Sequence, residues 1–343
     1  MSLFQAIDAA ARGREVEGPL LEAAFGEIMD GKASPVEIAA LLVALRTKGE
    51  TVGEIVAAAR ALRARAETTP RARADAVDTC GTGGDGAGTF NVSTAAAFVV
   101  AGAGVPVAKH GNRAASGRAG SADVLEALGV CVDLPMAAAA RVLDEVGIGF
   151  FFARRAHPAM RFVAPVRDEL GIRTLMNCLG PLLNPAGVKR QLVGVYERRL
   201  VANLAAALGA LGAERALVVH GADGLDEVTT TGVTHAAWLA GGRVETLVID
   251  PADLGVARAE PADLRGGDAG ENAAIVRAVL DGETGPRRDI VALNAAAALW
   301  VAGAVADLAD GLVRAGRSLD SGAARGRLAA LVRASAAEGA AAR

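Results

Sequence analysis

The chain has 343 residues, 52% of them hydrophobic but only 3% aromatic, so its core must be built from Ala, Val and Leu, and its length allows two domains or one large one. A formal net charge of −3, with no long single-sign run, argues against a large nucleic-acid footprint. Cys80, Cys131 and Cys178 show no CxxC spacing, the Met1–Gln5 start lacks a signal pattern, and the longest apolar runs (95–108 and 295–306) fall short of the roughly 20 residues of a membrane span, so a reduced cytoplasm and no membrane role are expected.

The first 65 or so residues predict helices only. Leu20, Leu21, Ala24, Phe25, Ile28 and Met29 recur at helical spacing, and Gly31 ends that run. Ser34-Pro35-Val36-Glu37 and Thr51-Val52-Gly53-Glu54 are capping boxes, the first with Pro at the opening helical position. Such short helices need a partner to bury their apolar faces, either the rest of the chain or a second copy. The stretch from Arg63 to Arg73 is polar and basic and reads as a linker or hinge.

From Ala76 onward strands and helices alternate. Strands are expected at 76–80, 105–108, 149–152, 217–220 and 244–249, and helices at 93–103, 121–128, 201–208 and 271–280, with a helical, Ala-rich end. This is the pattern of an α/β domain with a mainly parallel sheet and its ligand at the carboxyl ends of the strands. The expected division is a helical domain over 1–70 and an α/β domain over 75–343.

Four segments carry candidate chemistry. Residues 78–94 place five glycines among the eight positions 81–88 and end at a helix start, with Thr89, Asn91, Ser93 and Thr94 as donors at the loop exit. Glycine lets backbone N–H groups approach a ligand, and a helix N-terminus favours negative charge, so the stretch reads as a phosphate loop, with a mobile glycine linker as the plain alternative. Gly81-x-Gly83-x-x-Gly86 matches the dinucleotide fingerprint formally, but no acid stands about 20 positions on, and no Gly-Lys-Ser/Thr is present for a Walker A loop. Residues 109–121 follow the next strand with three cations, one Asn, two serines and three glycines, a second anion cradle or an exposed basic loop. Residues 220–227 bring Asp226 and Glu227, which with the Ser93 hydroxyl would offer Mg²⁺ hard oxygen ligands; an acidic turn is the alternative. In 154–184, His157 and Arg167 would share a face approximately if the segment were helical, although Pro165 interrupts it; a core histidine and a surface ion pair are the alternatives.

Gly81-Thr82-Gly83-Gly84-Asp85, Asn91-Val92-Ser93-Thr94, Lys109-His110-Gly111-Asn112-Arg113, Gly120-Ser121-Ala122-Asp123-Val124-Leu125-Glu126, His157-Pro158-Ala159-Met160 and Leu225-Asp226-Glu227 occur in one order over nearly the whole chain. In this the sequence resembles the anthranilate phosphoribosyltransferases, which join anthranilate to phosphoribosyl pyrophosphate (PRPP) in tryptophan biosynthesis. The resemblance implies a small helical domain, completed by a returning segment near 171–187 and hinged to a large α/β domain, a homodimer through the helical domains, and two Mg²⁺ ions per monomer. It implies that Gly81, Gly84, Asp85, Thr89, Asn91, Val92, Ser93, Thr94, Lys109, His110, Gly111, Asn112, Arg113, Ala114, Ala115, Ser116, Gly117 and Ser121 hold PRPP. Gly81, Asn112, His157 and Arg167 would hold anthranilate, and Ser93, Asp226 and Glu227 the metal. Catalysis would be electrostatic, through Lys109 and Arg113, with no obligatory general acid or base. Ala153-Arg154-Arg155 and Thr229-Thr230-Thr231 depart from the family pattern and affect the expected fine shape of the pocket. Two rivals share the fold: a pyrimidine nucleoside phosphorylase, against which the Asp226-Glu227 pair weighs, and a nucleic-acid-binding relative, against which the net charge of −3 weighs.

Overall fold

In the computed structural model, which describes residues 2–69, 73–114 and 118–341, four helices come first. They are α1 (Ser2–Ala11), α2 (Gly18–Met29), α3 (Pro35–Lys48) and α4 (Val52–Arg63). Both capping boxes form: Ser34 and Thr51 accept from the N–H groups of Glu37 and Glu54, whose carboxylates return the bond. Glu54 also ties the bundle together. Fully buried, it accepts from Val16 N–H at 2.9 Å, Thr51 N–H at 2.9 Å and the Lys48 ammonium at 2.8 Å. A buried carboxylate persists only when paired and hydrogen-bonded in this way.

The rest of the chain winds around a seven-stranded sheet of order β3-β2-β1-β4-β5-β6-β7. Its strands are β1 (Val77–Gly81), β2 (Val107–Gly111), β3 (Ile148–Phe152), β4 (Arg190–Gly194), β5 (Arg215–Gly221), β6 (Thr234–Ala240) and β7 (Arg243–Ile249). The first five are mutually parallel and β6 runs antiparallel to both its neighbours, β5 and β7, so the mainly parallel α/β architecture is borne out. Alternate side chains feed two cores, as the two-residue period of a strand requires. Leu217 and Val219 face a core that contains Phe98 of α5 (Val92–Gly102) and Leu293 of a later helix. Ala216 and Val218 face the core that contains Leu21, Phe25 and Leu41 of the N-terminal bundle. The bundle and one face of the sheet therefore share a single apolar interior.

The remaining helices are α6 (Ser121–Ala127), α7 (Met136–Val146), α8 (Ala153–Ala156), α9 (Ala164–Leu170), α10 (Met176–Leu179), α11 (Leu200–Ala210), α12 (Ala269–Leu280), α13 (Pro286–Val301), α14 (Leu308–Asp320) and α15 (Ala323–Ala341). None of the helices is long and apolar enough to cross a membrane among the described residues.

The structure departs from the sequence reading in four places. The central strand β4 was not anticipated, because Arg190 and Gln191 interrupt its apolar pattern; the Gln191 amide is satisfied inside by donating to the Pro181 carbonyl at 2.8 Å. Strand β6 was also missed: its Ala-rich sequence favours a helix locally, and pairing with β5 and β7 overrides that. The 154–184 segment, on which His157 and Arg167 would share a face only if it were helical, is instead α8, a 3₁₀ turn at Pro158–Phe162, α9, α10 and a second 3₁₀ turn at Gly180–Leu183, broken at Pro165 as expected and also where Pro158 and Pro181 remove donors. Arg63, placed at the start of a linker, is an anchor: its guanidinium donates to the carbonyls of Leu182 at 2.6 Å and Leu211 at 3.2 Å.

Candidate active site

The chain winds outward from β1 through β2 to β3, then returns and winds the other way from β4 to β5, so the direction of winding reverses between β1 and β4. In open α/β sheets the crevice beyond such a reversal, at the carboxyl ends of the strands, is the ligand site. Both strands end there in glycine, and the two glycines, Gly81 and Gly194, are register partners. A Cβ on Gly194 would lie 1.5 Å from the Asp226 carbonyl oxygen, and one on Gly81 2.3 Å from Asp226 Oδ2. The bare strand ends let the 220–227 loop lie directly over the crevice. Gly111 does the same for the second cradle, since a Cβ there would meet Ser121 Oγ at 2.1 Å.

Asp226 accepts from Gly83 N–H at 2.7 Å, and Glu227 accepts from Ser93 N–H at 3.1 Å in the first turn of α5. The acidic pair thus touches both the glycine loop and the helix start, where the backbone favours negative charge. Behind it, Asn294 donates to the Val228 carbonyl and accepts from Val228 N–H, each at 2.9 Å. Asp223 belongs to the loop's own framework: the Thr229 hydroxyl donates to it at 2.7 Å and the Thr231 hydroxyl also bonds it, which gives those unexpected threonines a purpose. Burial, then the nearby Asp85 carboxylate, push the Asp226 carboxyl up to about 7; burial, then Asp226, push Glu227 well above the usual carboxylate range. Both shifts favour the neutral carboxyl, the result of crowding acidic groups away from water. Among the described residues no group of three or more His, Cys, Asp or Glu is arranged to hold a metal ion by itself.

Lys109 lies beneath this cluster rather than in the loop above it. Its side chain is buried, and its ammonium donates to the Thr79 carbonyl and, at 3.4 Å, to Ser93 Oγ. Burial pulls its pKa down, while Asp78, Cys80, Glu227 and Asp226 work against that. Arg113 is likewise engaged. Its guanidinium bonds Asp123 at 2.8 Å and Glu126 at 2.6 Å and sits 5.7 Å from the Phe152 ring centroid. Both cations expected to act on pyrophosphate are thus engaged by protein groups here, Lys109 by a carbonyl and a hydroxyl and Arg113 by two carboxylates. Asp123 also gathers the N–H groups of Ala114 at 3.1 Å and Gly120 at 2.9 Å, and Ser121 Oγ donates to the Asn112 carbonyl at 3.3 Å. The exposed Asn112 accepts from Arg113 N–H at 2.9 Å through its side-chain oxygen. Ala115, Ser116 and Gly117 lie outside the described residues.

At the glycine-loop exit, Thr89 bridges to Arg265, and Asn91 accepts from the buried Asn272 at 2.9 Å while donating to the Ala119 carbonyl at 3.3 Å. The two anion loops are joined through that amide. Val92 and Thr94 are buried, so Val92 has only backbone to offer a ligand. Gly84 has φ +73°, and Asp85 Oδ1 accepts from Ala87 N–H at 3.1 Å.

His110 and His157 form a buried edge-to-face pair, ring centroids 5.4 Å apart. His157 Nε2 bonds the Leu183 carbonyl at 3.0 Å, and His110 N–H donates to Asp78 at 3.1 Å. Asn184 completes the group by donating to Asp78 at 2.8 Å and the Ala108 carbonyl at 2.9 Å. Arg167, on α9, is half-buried, which pulls its pKa down, and its guanidinium has no hydrogen bond or ion pair among the described residues. A partly desolvated guanidinium can pair with a carboxylate through its planar fork of donors.

Asn184, Asn272, Asn294, Arg173 and Tyr196 also shape the site; Arg173 and Asn184 lie in the 154–184 segment singled out from sequence but without a role of their own, and the other three were not singled out. The Asn184-Pro185 turn alone carried a local signal.

Burial lowers the pKa of His157 to about 4 and that of His110 to about 3. An unfolded histidine takes up its proton near pH 6.5 and the folded ones only below these values, so their contribution to stability is complete above about 6.5 and is lost as pH falls towards 4 and 3. Urea midpoints measured from about pH 7 to about pH 4.5 should fall less steeply for His157→Gln than for the parent; equal slopes would contradict the assignment.

Comparison with known proteins agrees with this geometry. Residues 5–66 match the helical bundle domain of a glycosyl transferase family, and residues 73–325 match the a/b domain of that family. The anthranilate phosphoribosyltransferase of Rhodospirillum rubrum is 56% identical over 94% of this chain and 92% of its own length, and that of Rubrobacter xylanophilus is 56% identical over 97% of both. The crystal structure of the Thermus thermophilus enzyme superposes with a TM-score of 0.91 at 46% identity, covering 96% of this chain and 99% of that one. The Saccharomyces cerevisiae enzyme in complex with PRPP and Mg superposes with a TM-score of 0.88 at 26% identity, covering 98% of each chain. With a glycine-rimmed crevice at the reversal point of the sheet and this likeness over nearly its whole length, the chain belongs to the anthranilate phosphoribosyltransferase family.

Proposed function

We infer that this chain transfers the phosphoribosyl group of PRPP to the amine of anthranilate, releasing pyrophosphate, as a step of tryptophan biosynthesis. The observation that carries the reading is the meeting of the Asp226-Glu227 pair with the glycine loop and the α5 N-terminus at one crevice. An aryl amine is uncharged near neutral pH, so it attacks ribose C1 without a strong base, and the acidic ammonium it becomes passes its proton to water. The barrier lies in breaking the bond from ribose C1 to the leaving oxygen, as positive charge grows on the sugar and negative charge on pyrophosphate. Residues that neutralise the leaving group and align the amine are therefore sufficient.

In this reading Gly81 to Asp85, Thr89 and Asn91 to Thr94 form one wall of the PRPP site, and Asn112 to Ala114 with Ser121 form the other. The elevated pKa values of Asp226 and Glu227 mark a charge excess that a divalent cation would relieve. The all-oxygen donor set of Ser93, Asp226 and Glu227 suits Mg²⁺, which commonly completes its shell with phosphates and water. We assign two such ions to the site; when bound, they neutralise developing charge on pyrophosphate. Lys109 keeps the buried acids and the Ser93 hydroxyl in place from below. Arg167 orients the anthranilate carboxylate, with Asn112 and Gly81 beside it, while His157, neutral and buried, supports that pocket rather than carrying charge. A homodimer through the bundle completes the reading, supported by Phe4 and Val36, 75% and 77% exposed on α1 and α3.

Loss of anthranilate fluorescence that requires both PRPP and Mg²⁺ tests the reaction. Arg167→Ala should raise the anthranilate KM by at least about tenfold and leave the PRPP KM within about twofold; equal effects on both would remove Arg167 from the acceptor site. Sedimentation should give a dimer of the 34.5 kDa chain, and a monomer at micromolar concentration would dismiss the bundle contact.

A further inference from the structure

We propose that Arg173 is a positioning residue that locks the glycine-rich donor loop from the acceptor side of the site. The segment bearing it starts at Gly171, whose left-handed backbone (φ +62°) ends α9 and turns the chain away from the helix axis. Two residues on, the Arg173 guanidinium donates to the Gly84 carbonyl and lies over the Tyr196 ring, 4.3 Å from its centroid. Tyr196 follows β4. Its ring is buried, and its N–H donates to Thr82 Oγ1 at 3.1 Å, while Thr82 N–H donates to the Gly194 carbonyl at 2.9 Å.

Three consecutive loop residues are therefore held by three different parts of the chain. Thr82 is held by the end of β4, Gly83 by Asp226 at 2.7 Å, and Gly84 by Arg173. The loop needs such anchors. Gly83, Gly84, Gly86 and Gly88 all have φ between 65° and 79°, and an added Cβ at Gly83, Gly86 or Gly88 would meet nothing within 4 Å. A backbone this free and this bare loses more conformational freedom on ordering than any other, and a phosphate-binding loop must be ordered to aim its N–H groups.

Arginine suits the task because its planar guanidinium stacks on an aromatic face and donates in its own plane at once. A lysine ammonium reaches the carbonyl but stacks less well. Arg173 stands six residues after Arg167, so the piece of chain that would hold the acceptor also clamps the donor loop. This rests on the proposed reaction for its meaning, but not for its test.

Hydrogen–deuterium exchange on the substrate-free full chain reads the clamp directly. Arg173→Ala should speed exchange across residues 82–88 by about tenfold or more and leave the bundle unchanged, with Arg173→Lys in between. In turnover, Arg173→Ala should raise the PRPP KM about tenfold and leave the anthranilate KM within about twofold, with partial recovery in Arg173→Lys. Loop exchange equal to the parent's, or exchange raised evenly over the whole chain, overturns the proposal whatever the activity. A parent that never consumes anthranilate would overturn the proposed reaction and leave the exchange result to decide the clamp.

Discussion

A carbonyl oxygen that would sit 1.5 Å from a Cβ is an absolute steric constraint, and at Gly194 it fixes where the acidic loop rests. Any side chain there would lift Asp226 off the sheet. With Gly194 and its register partner Gly81 bare, the loop settles over the crevice where the winding of the sheet reverses, and Asp226 and Glu227 reach the glycine loop and the first turn of α5. The remaining features of the site are supports for that placement: Asn294 behind the loop, the threonines around Asp223, and Lys109 beneath.

The charge arrangement follows from the same packing. Three carboxylates, those of Asp85, Asp226 and Glu227, crowd one side of the crevice, and the ammonium of Lys109 lies under them but is turned toward Thr79 and Ser93. Burial, and then the neighbouring carboxylates, raise the pKa values of Asp226 and Glu227. Arg113, bound to Asp123 and Glu126, and the neutral histidine pair add no positive charge to the crevice in this conformation. A site of this kind suits a reaction whose barrier is C1–O cleavage: oriented N–H groups and cations would neutralise the leaving pyrophosphate, and the ammonium formed by the amine loses its proton to water once the C–N bond is made.

Much of this was readable in the sequence because the critical residues are adjacent along the chain. The glycine run, the 109–121 cradle and the Asp226-Glu227 pair each form a short local pattern, and each reports backbone chemistry that glycine and helix ends dictate. The bundle was readable for the same reason, its capping boxes spanning four residues each. What escaped depends on distance in sequence. Strand β4 is defined by partners on both sides, and its Arg190 and Gln191 disguise it. Asn272 reaches Asn91 across 181 positions, and Arg173 reaches Gly84 across 89, and neither pairing leaves a local trace. The engagement of Arg113 with Glu126 could have been suspected from α6, where both Asp123 and Glu126 lie near the cradle, but spacing alone does not say which charges meet.

The placement of the acidic loop by Gly194 is tested most directly by Gly194→Ala. In protein whose far-UV circular dichroism matches the parent, Mg²⁺-dependent consumption of anthranilate should fall by at least about a hundredfold, because Asp226 is displaced from Gly83 and the crevice. Turnover within about twofold of the parent would contradict the claim that this bare strand end sets the geometry of the site.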